Sequence, residues 1–551
     1  MKNNEERIII VSCALAMDEK MLNVWNTLAK HLKNMNCKLL LLTTSVCEGI
    51  QFDFIQIPFS LDQFDELNIE LDNESYYDDK AIAITFTKRE IEWFNKPKEN
   101  WYKHFEGYYK CKDFYRSIIN SVRPSLVVAW QNSLPQSNIL KRLAEEYSIP
   151  SFILERGMLP DSFMIESWGN VALSDLVNNF AIRNSIRNNS DYSSFDKIKE
   201  FYLKEKPVKY NQKSYEDSKS ELIEIFRNSK PTLVYFANVD SSVGIYPEDT
   251  MLSYKTSRVY KNSKETIKKL SKLAEKKDLK LIIKLHPHDS GDYSASQTDK
   301  TIILRDFNYQ LLMEKGDVLA FSCTTLQFEA LLYEKPVLLL ANTELSGFDI
   351  VYEVNGEGSL ESVFDEAINK ENFDQKNLNA KKYIHWITAN FLFSYSDNQP
   401  IKNSTFDLAT YFSSIAPVLK ERFNLGRFDR LSAYLLSIKY PHHFPIVKES
   451  DISSNYEMIS LNKEKEKLTQ LELMENLIKD YESGRKSEEL FNELGKIFII
   501  QNAYSTAANY FHKAKAYKKL DEESSKPESF EGADEKTNNY KTLLEIAQNC
   551  I

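Results

Sequence analysis

Two short motifs carry residue types that suit the binding of a phosphate group. The first is Lys284-Leu285-His286-Pro287, and the second is Ser322-Cys323-Thr324-Thr325. One supplies a cation and an imidazole, and the other supplies hydroxyls directly before a helical pattern. The first turn of a helix offers unpaired N–H groups and partial positive charge. Together the motifs predict a site for a phosphorylated or nucleotide-linked ligand.

Each motif stands at the end of an apolar run that is typical of a buried strand. These runs belong to an alternating pattern of strands and helices that predicts a parallel sheet. The predicted elements of this half are the strands Thr232–Phe236, Leu279–Leu285, Ile302–Leu304, Val318–Phe321 and Val337–Leu340, and the helices Ser263–Lys276, Tyr309–Lys315, Thr325–Tyr333 and Leu360–Lys370. The carboxyl ends of parallel strands are where such sheets bind ligands.

An earlier part of the chain shows the same alternation. Its predicted elements are the strands 7–13, Cys37–Thr44, Leu126–Trp130 and Ser151–Glu155, and the helices Asp18–Met35, Ile82–Val122 and Gln136–Tyr147. We expect the aromatic residues of the long helix, among them Trp101 and Tyr102, to lie in the core. The fold class is therefore α/β, with two doubly wound halves and a cleft between them.

The pattern divides the chain into five parts. We predict an N-terminal Rossmann-like acceptor domain at 1–185, a helical linker at 186–230 and a donor-binding Rossmann-like domain at 231–371. Crossover helices follow at 372–425, and an all-α tail at 426–551. The tail matches one tetratricopeptide-like repeat at Phe491, Leu494, Gly495, Phe498, Ala507, Phe511 and Ala514. One repeat cannot bury its apolar face alone, so the tail is a candidate surface for a protein partner.

Composition excludes several classes of protein. The 551 residues carry a net charge of −10, which argues against a general nucleic-acid binder. No run approaches the roughly 18 to 20 apolar residues of a membrane span, so we expect a soluble protein with at most peripheral membrane contact. The cysteines form no CxxC pair, which fits neither a zinc site nor a disulfide framework and favours a reducing cytoplasm; they are Cys13, Cys37, Cys47, Cys111, Cys323 and Cys550.

Several segments together resemble the bacterial capsule polysaccharide biosynthesis family. Between about residues 120 and 345, in this order, stand Trp130-Gln131-Asn132, Ile149-Pro150-Ser151-Phe152-Ile153-Leu154-Glu155-Arg156-Gly157-Met158-Leu159-Pro160-Asp161-Ser162, Glu166-Ser167-Trp168-Gly169-Asn170, the Lys-x-His-Pro and Ser-x-Thr-Thr motifs, Phe328-Glu329-Ala330-Leu331 and Lys335-Pro336-Val337. That family contains retaining β-Kdo transferases of the GT-B architecture, which use CMP-Kdo. Bacterial sialyltransferases with CMP-linked donors share a similar His-Pro motif and hydroxyl motif.

The resemblance implies a donor site on the second domain. His286 is expected to donate a hydrogen bond to the donor phosphate, or to protonate it as CMP departs. Lys284 is a phosphate ligand or a core-facing strand residue. Ser322, Thr324 and Thr325 bind phosphate or merely cap a helix. Glu329 accepts from ribose hydroxyls or is a surface charge.

The resemblance also indicates candidate catalytic groups. Glu155 ends a strand where related families carry an acidic pair before glycine, one of which serves as base or nucleophile. Here Arg156 replaces the second acid, so Glu155 is the candidate catalytic carboxylate and Arg156 a candidate ligand for an acidic sugar. Asp240 stands where the related families carry a cleft-facing aspartate, with Asn238 and Ser242 as alternatives.

These expectations lead to one leading hypothesis and two rivals. The leading one is a cytoplasmic transferase, active in the cytoplasm or at the inner face of the membrane, that moves Kdo or a related acidic sugar from CMP to a capsule or lipopolysaccharide glycan. We expect no metal or other cofactor, because no DxD motif stands at a strand end. The rivals are a transferase with another activated donor, such as CDP-glycerol, and a non-catalytic scaffold.

Overall fold

The apolar runs form two sheets in the computed structural model of the chain. The residues described are 7–416, apart from 16, 46–47, 66–79, 94–100, 132, 148, 168, 206–211, 227–229, 241–242, 244–255, 257–258, 290 and 397–398. The predicted all-α tail with its repeat, and the end of the predicted crossover region, lie outside the described residues.

The first sheet contains seven strands in the spatial order β13-β6-β5-β4-β1-β2-β3. Strands β1 to β5 are parallel, β6 runs antiparallel to β5, and β13 runs antiparallel to β6. The strands are β1 Arg7–Cys13, β2 Cys37–Thr43, β3 Asp53–Gln56, β4 Leu126–Trp130, β5 Ser151–Arg156, β6 Ser162–Glu166 and β13 Phe393–Ser394. From β3 to β5 the order is 3-2-1-4-5, which is a doubly wound sheet.

The second sheet contains six parallel strands in the order β12-β11-β10-β7-β8-β9. Its strands are β7 Thr232–Phe236, β8 Lys280–Lys284, β9 Thr301–Leu304, β10 Val318–Phe321, β11 Val337–Leu339 and β12 Tyr352–Glu353. Counted from β7, the order is again 3-2-1-4-5-6, so the direction of winding reverses between β7 and β10. Ligands of doubly wound sheets bind at such a reversal.

Helices cover the faces of both sheets. They are α1 Glu19–Asn34, α2 Leu61–Asp65, α3 Lys80–Trp93, α4 Trp101–Val122, α5 Pro135–Glu146, α6 Asp175–Asn178, α7 Phe180–Asn188, α8 Phe195–Glu205, α9 Tyr215–Ile225, α10 Ser263–Lys277, α11 Tyr309–Lys315, α12 Leu326–Leu332, α13 Leu360–Ile368, α14 Phe373–Asn390 and α15 Thr405–Ile415. Central strands such as β4 and β7 are buried at every position, as expected for parallel strands covered on both sides.

The chain returns to the first sheet after the second is complete. Strand β13 pairs with β6, and α15 packs on α1. Ser404 and Asp407 form a capping box at the start of α15, which satisfies N–H groups that a helix start leaves without partners. The Arg7 guanidinium donates to the carbonyl oxygens of Ser413 and Ala416 beyond the end of that helix.

Two Rossmann-like domains in a GT-B arrangement are therefore confirmed, and both sheets belong to one compact unit. Some local predictions were wrong. The sequence did not reveal β3 or β6. The helical region predicted at 82–122 contains α3 and α4, and residues 94–100 lie outside the described residues. Trp101 and Tyr102 were expected in the core, but they are 48% and 49% exposed.

Gly157 makes the sharp turn between β5 and β6, beside the candidate carboxylate Glu155. Its N–H donates to the carbonyl of Ser162 at 2.6 Å. A Cβ atom added at Gly157 would lie 1.9 Å from Ser162 Oγ and 2.9 Å from Ser162 Cβ. The Ser162 hydroxyl is itself held by a hydrogen bond to the carbonyl of Leu159, so it cannot easily move aside.

We predict that Gly157→Ala lowers the free energy of unfolding by about 1 to 3 kcal/mol, as overpacking of a tight site does. Gly356→Ala is the matched control, because a Cβ there meets no atom within 4 Å. Denaturant titration of both variants measures the difference. Equal stability of Gly157→Ala and the wild type would contradict the crowding at this turn.

Candidate functional site

A cleft of about 190 Å³ lies where the carboxyl ends of β7, β8 and β10 face the end of β5. That volume far exceeds the space of one trapped water. The cleft brings together most of the residues that the sequence singled out, which are Glu155, Arg156, Lys284, His286, Thr324, Thr325 and Glu329. Asp240 and Ser322 lie next to these residues but not in the wall of the cleft.

His286 stands at the end of β8 with its ring orientation set by its own loop. The backbone N–H of His288 donates to His286 Nδ1 at 3.1 Å. Burial, together with repulsion from His288 and Lys284, lowers the pKa of His286 to about 4. The ring is therefore neutral at pH 7. Since Nδ1 accepts a hydrogen bond, the proton is on Nε2, which makes Nε2 a donor.

Lys284 holds the loop rather than reaching across the cleft. Its side chain is 6% exposed, and Nζ donates to the carbonyl oxygens of Leu285 and Arg305, both at 2.8 Å. Burial lowers the pKa of Lys284 to about 8, while Asp306 opposes the shift. The ammonium lies behind His286 and ties two adjacent strand ends together.

Arg305, directly after β9, stabilises the loop that follows His286. Its guanidinium donates to the carbonyl oxygens of Asp289 and Gly291. The side chain of Asp289 in turn accepts from the N–H of Gly291 at 2.8 Å and from the hydroxyl of Tyr293 at 2.9 Å. The segment after His286 is thus held by side chains at several points.

The hydroxyl motif follows β10, and its members have different positions. Thr324 and Thr325 line the cleft, whereas the Ser322 hydroxyl is buried against the hydroxyl of Tyr235 at 3.1 Å. The first N–H groups of α12 are already used: Leu326 donates to Thr324 Oγ1, and the two residues after it donate to the carbonyls of Thr324 and Thr325. The threonine hydroxyls, rather than the helix N–H groups, are the polar groups that this turn offers a ligand.

Asp240 supports the cleft from behind the end of β7. Its carboxylate accepts from the N–H and hydroxyl of Ser263 at 2.9 and 2.6 Å, and from the Asn238 amide at 2.9 Å. Burial raises the pKa of Asp240, although these hydrogen bonds oppose the shift. Asn238 lines the cleft, and its Oδ1 accepts from the N–H of Cys323 at 3.4 Å. Asp240 therefore fixes Asn238 and the start of α10.

Glu329 lies on the inner face of α12 and is 7% exposed. Its Oε2 accepts from the hydroxyl of Tyr309 at 2.8 Å, and burial together with this carboxylate raises the pKa of Tyr309. The alternative of a solvated surface charge is therefore excluded for Glu329.

Glu155 and Arg156 form the opposite wall, at the end of β5. The Glu155 carboxylate accepts from the N–H of Arg156 at 3.0 Å and from Asn170 Nδ2 at 3.3 Å. Asn170 is buried and also lines the cleft. The first domain thus presents an oriented carboxylate and a guanidinium toward the second.

Sequence reasoning missed several polar residues in this cleft, among them Gln327 and Glu344. Glu344 is 4% exposed, and it accepts from the N–H of Val171 at 2.8 Å and from Gln327 Nε2 at 3.4 Å. Burial raises the pKa of Glu344. Gln327 could have been found because it lies on the same helix as Glu329. Glu344 lies in a loop and bonds to Val171 of the first domain, and no local sequence pattern indicates such a contact.

Within the described ranges, no helix has both the length and the apolar character needed to cross a bilayer. No group of three or more histidine, cysteine, aspartate or glutamate side chains suited to a metal ion occurs in the same part of the chain.

Comparison with known proteins gives matches to solved structures alone. No protein-family model matches the chain, and no curated protein matches it in sequence. The UDP-GlcNAc 2-epimerase of Methanocaldococcus jannaschii, in complex with UDP-GlcNAc and UDP, is 11% identical with a TM-score of 0.32, over 69% of this chain and 99% of the epimerase. The glycosyltransferase SnogD from Streptomyces nogalater is 12% identical with a TM-score of 0.31, over 75% and 100%.

A β-Kdo 2,7 transferase is among the matches. KpsC of Thermosulfurimonas dismutans is 15% identical with a TM-score of 0.25, over 46% of this chain and 79% of that protein. Similarities of this size say nothing about which substrate the cleft binds. The two-domain fold stands on the strand order described above.

We predict that His286 makes unfolding depend on pH between about 6.5 and 4. The folded ring has a pKa of about 4, whereas the unfolded ring takes up a proton near pH 6.5. Stability from this group is fully present above pH 6.5 and is lost as the pH falls through 4, by up to about 3 kcal/mol.

His286→Asn should flatten this part of the pH profile, because asparagine does not titrate and its oxygen can still accept the N–H of His288. Urea unfolding from pH 4 to 8 gives the free energy of unfolding of variant and wild type. The difference between the two removes the contribution of the other titrating groups. His31→Gln, in α1, is the control. A pH slope that is unchanged in His286→Asn would contradict a neutral buried imidazole.

Proposed function

We propose that the chain is a glycosyltransferase that moves Kdo or a related acidic sugar from a CMP-activated donor to a capsule or lipopolysaccharide glycan. The observation that carries this proposal is the arrangement of one cleft. A neutral imidazole with its proton on Nε2 and two threonine hydroxyls line the second domain, and Glu155 with Arg156 lines the first. Hydrogen-bond donors for a leaving phosphate therefore lie opposite a carboxylate that can act on the acceptor or the sugar.

The donor phosphate would lie between His286 and the two threonines. As the bond from the anomeric carbon to the phosphate oxygen breaks, negative charge grows on that oxygen. His286 Nε2–H and the hydroxyls of Thr324 and Thr325 would donate to it, and such donors act most strongly where water is excluded. Because the pKa of His286 is about 4 in the free protein, hydrogen bonding fits better than transfer of a proton from an imidazolium.

Glu155 would act on the opposite side of the sugar. As a base it accepts the proton of the acceptor hydroxyl, and as a nucleophile it bonds to the anomeric carbon before the acceptor attacks. Arg156 is adjacent, and a guanidinium pairs well with the carboxylate of an acidic sugar. Glu329 fits the ribose hydroxyls of the nucleotide, since its carboxylate is already held in place by Tyr309.

The remaining parts of the proposal concern the setting of the reaction. The acceptor would be a glycan or glycolipid that enters over the first domain near Glu155, in the cytoplasm or at the inner face of the membrane. His286, with the threonine hydroxyls, takes the place that a divalent cation has in many nucleotide-sugar enzymes, so we propose that no metal is needed. The C-terminal segment at 426–551 is proposed as the site of any protein partner.

We predict that His286→Ala lowers kcat by about 100- to 1,000-fold, which is the effect of losing one preformed donor to a developing oxyanion. The variant should keep the fold, as judged by its Tm and circular dichroism. His288→Ala is the control, because it removes the neighbouring imidazole but keeps the N–H that orients His286. Full turnover by His286→Ala would refute the assignment.

Nucleotide binding separates the proposed donor from its rivals. Thermal-shift titration with CMP, CDP and UDP in EDTA should show stabilisation by CMP at the lowest concentration, since a ligand that binds only the folded state raises its stability. A preference for CDP would support a donor such as CDP-glycerol, and one for UDP would favour a UDP-sugar. A lack of any shift would favour the non-catalytic scaffold.

A further inference from the structure

A chain of hydrogen bonds runs along the cleft from the candidate carboxylate to the turn that holds the threonines. Asn170 Nδ2 donates to Glu155 at 3.3 Å, and the N–H of the next residue, Val171, donates to Glu344 at 2.8 Å. Glu344 in turn accepts from Gln327 Nε2 at 3.4 Å. All of these residues line the cleft, and Gln327 stands two residues after Thr325.

This series of hydrogen bonds passes from one domain to the other at the peptide between Asn170 and Val171. Asn170 and Val171 follow β6 of the first sheet, whereas Glu344 follows β11 of the second. The side chain of Asn170 and the N–H of Val171 point to different partners in different domains. A shift of Glu344 relative to the first domain would therefore either move this peptide or break its hydrogen bond to Glu344.

Val171 adopts a backbone conformation that its side chain disfavours. Its φ is +57°, and a β-branched residue in the left-handed region is a genuine outlier. Such strain persists only where the surroundings impose it, and it concentrates at functional sites. The hydrogen bond to a carboxylate that is 4% exposed, and the packing of Val171 against Cys323 and Ala341, are what impose it here.

The loop that carries Glu344 is well supported on its own side. The Thr343 hydroxyl donates to Gln327 Oε1 at 3.1 Å and accepts from the N–H of Leu345 at 3.2 Å. The hydroxyl of Tyr383, on α14, donates to the carbonyl of Glu344 at 3.0 Å. The backbone at Glu344 is consequently held by hydrogen bonds from within its own part of the chain.

We propose that Glu344 is a positioning residue that aligns Glu155 with the donor phosphate site through Val171 and Asn170. The carboxylate of the first domain takes its catalytic orientation only when the second domain presents Glu344 to the Val171 peptide. This inference rests on the proposed function for its kinetic consequence, whereas the linkage itself exists without any substrate.

The kinetic test compares variants of the two ends of the link. Glu344→Ala and Asn170→Ala should each lower kcat at least tenfold and leave the affinity for CMP within threefold. The kcat of the double variant should be no lower than that of the less active single variant, because both residues act through one path. Glu344→Gln should regain most of the kcat lost in Glu344→Ala, since its amide oxygen can accept the N–H of Val171.

Arg187→Ala is the matched control for ordinary contact between the domains. Arg187 donates to the carbonyl of Gly347 at 2.7 Å, on the same loop as Glu344, but it does not lead to Glu155. Its kcat should equal that of the wild type. Equal losses in Arg187→Ala and Glu344→Ala, or multiplied losses in the double variant, would overturn the positioning role.

Amide hydrogen exchange tests the linkage without a substrate. The N–H of Arg156 bonds to Glu155 at 3.0 Å, so its exchange rate reports where that carboxylate lies. Glu344→Ala should speed exchange at least tenfold at Val171 and at Arg156. If the wild type transfers no sugar yet both amides respond, the linkage stands and the proposed function fails. Faster exchange at Val171 alone, or at neither, would overturn the linkage.

Discussion

The second-domain side of the cleft depends on a buried ammonium that bonds to backbone carbonyl oxygens of the protein. Lys284 Nζ joins the carbonyls at the ends of two neighbouring strands, and a charge that is removed from water must find such partners. This contact fixes the first residues after β8, and there the N–H of His288 selects the tautomer of His286. The proton on His286 Nε2 follows from that arrangement.

Strand order explains why these groups meet at all. The loops after β7, β8 and β10 leave the same edge of the second sheet, around the point where winding reverses. They carry Asn238, His286 and the two threonines, while the corresponding edge of the first sheet carries Glu155. One wall of the cleft is therefore rich in hydrogen-bond donors, and the opposite wall bears a carboxylate and a guanidinium. Transfer of a group from a phosphate requires donors and a carboxylate in such an arrangement.

Much of this could be predicted from the sequence, because buried parallel strands are continuous apolar runs. Strands β7 and β10 have the bounds that their apolar patterns predicted, and the two motifs lie at strand ends as expected. Strand β6 was missed because it returns antiparallel after a turn in which Asp161 has a positive φ. The partners of Glu344 and Asp240 depend on tertiary contacts that no local pattern encodes.

A crystal structure with CMP bound tests the central claim most directly, since the claim is about where one phosphate lies. We predict that a phosphate oxygen lies within hydrogen-bond distance of His286 Nε2 and of a hydroxyl of Thr324 or Thr325, with Lys284 still bonded to the carbonyls of Leu285 and Arg305. A phosphate bound elsewhere, or one contacted by Lys284 after it has left those carbonyls, would contradict the account.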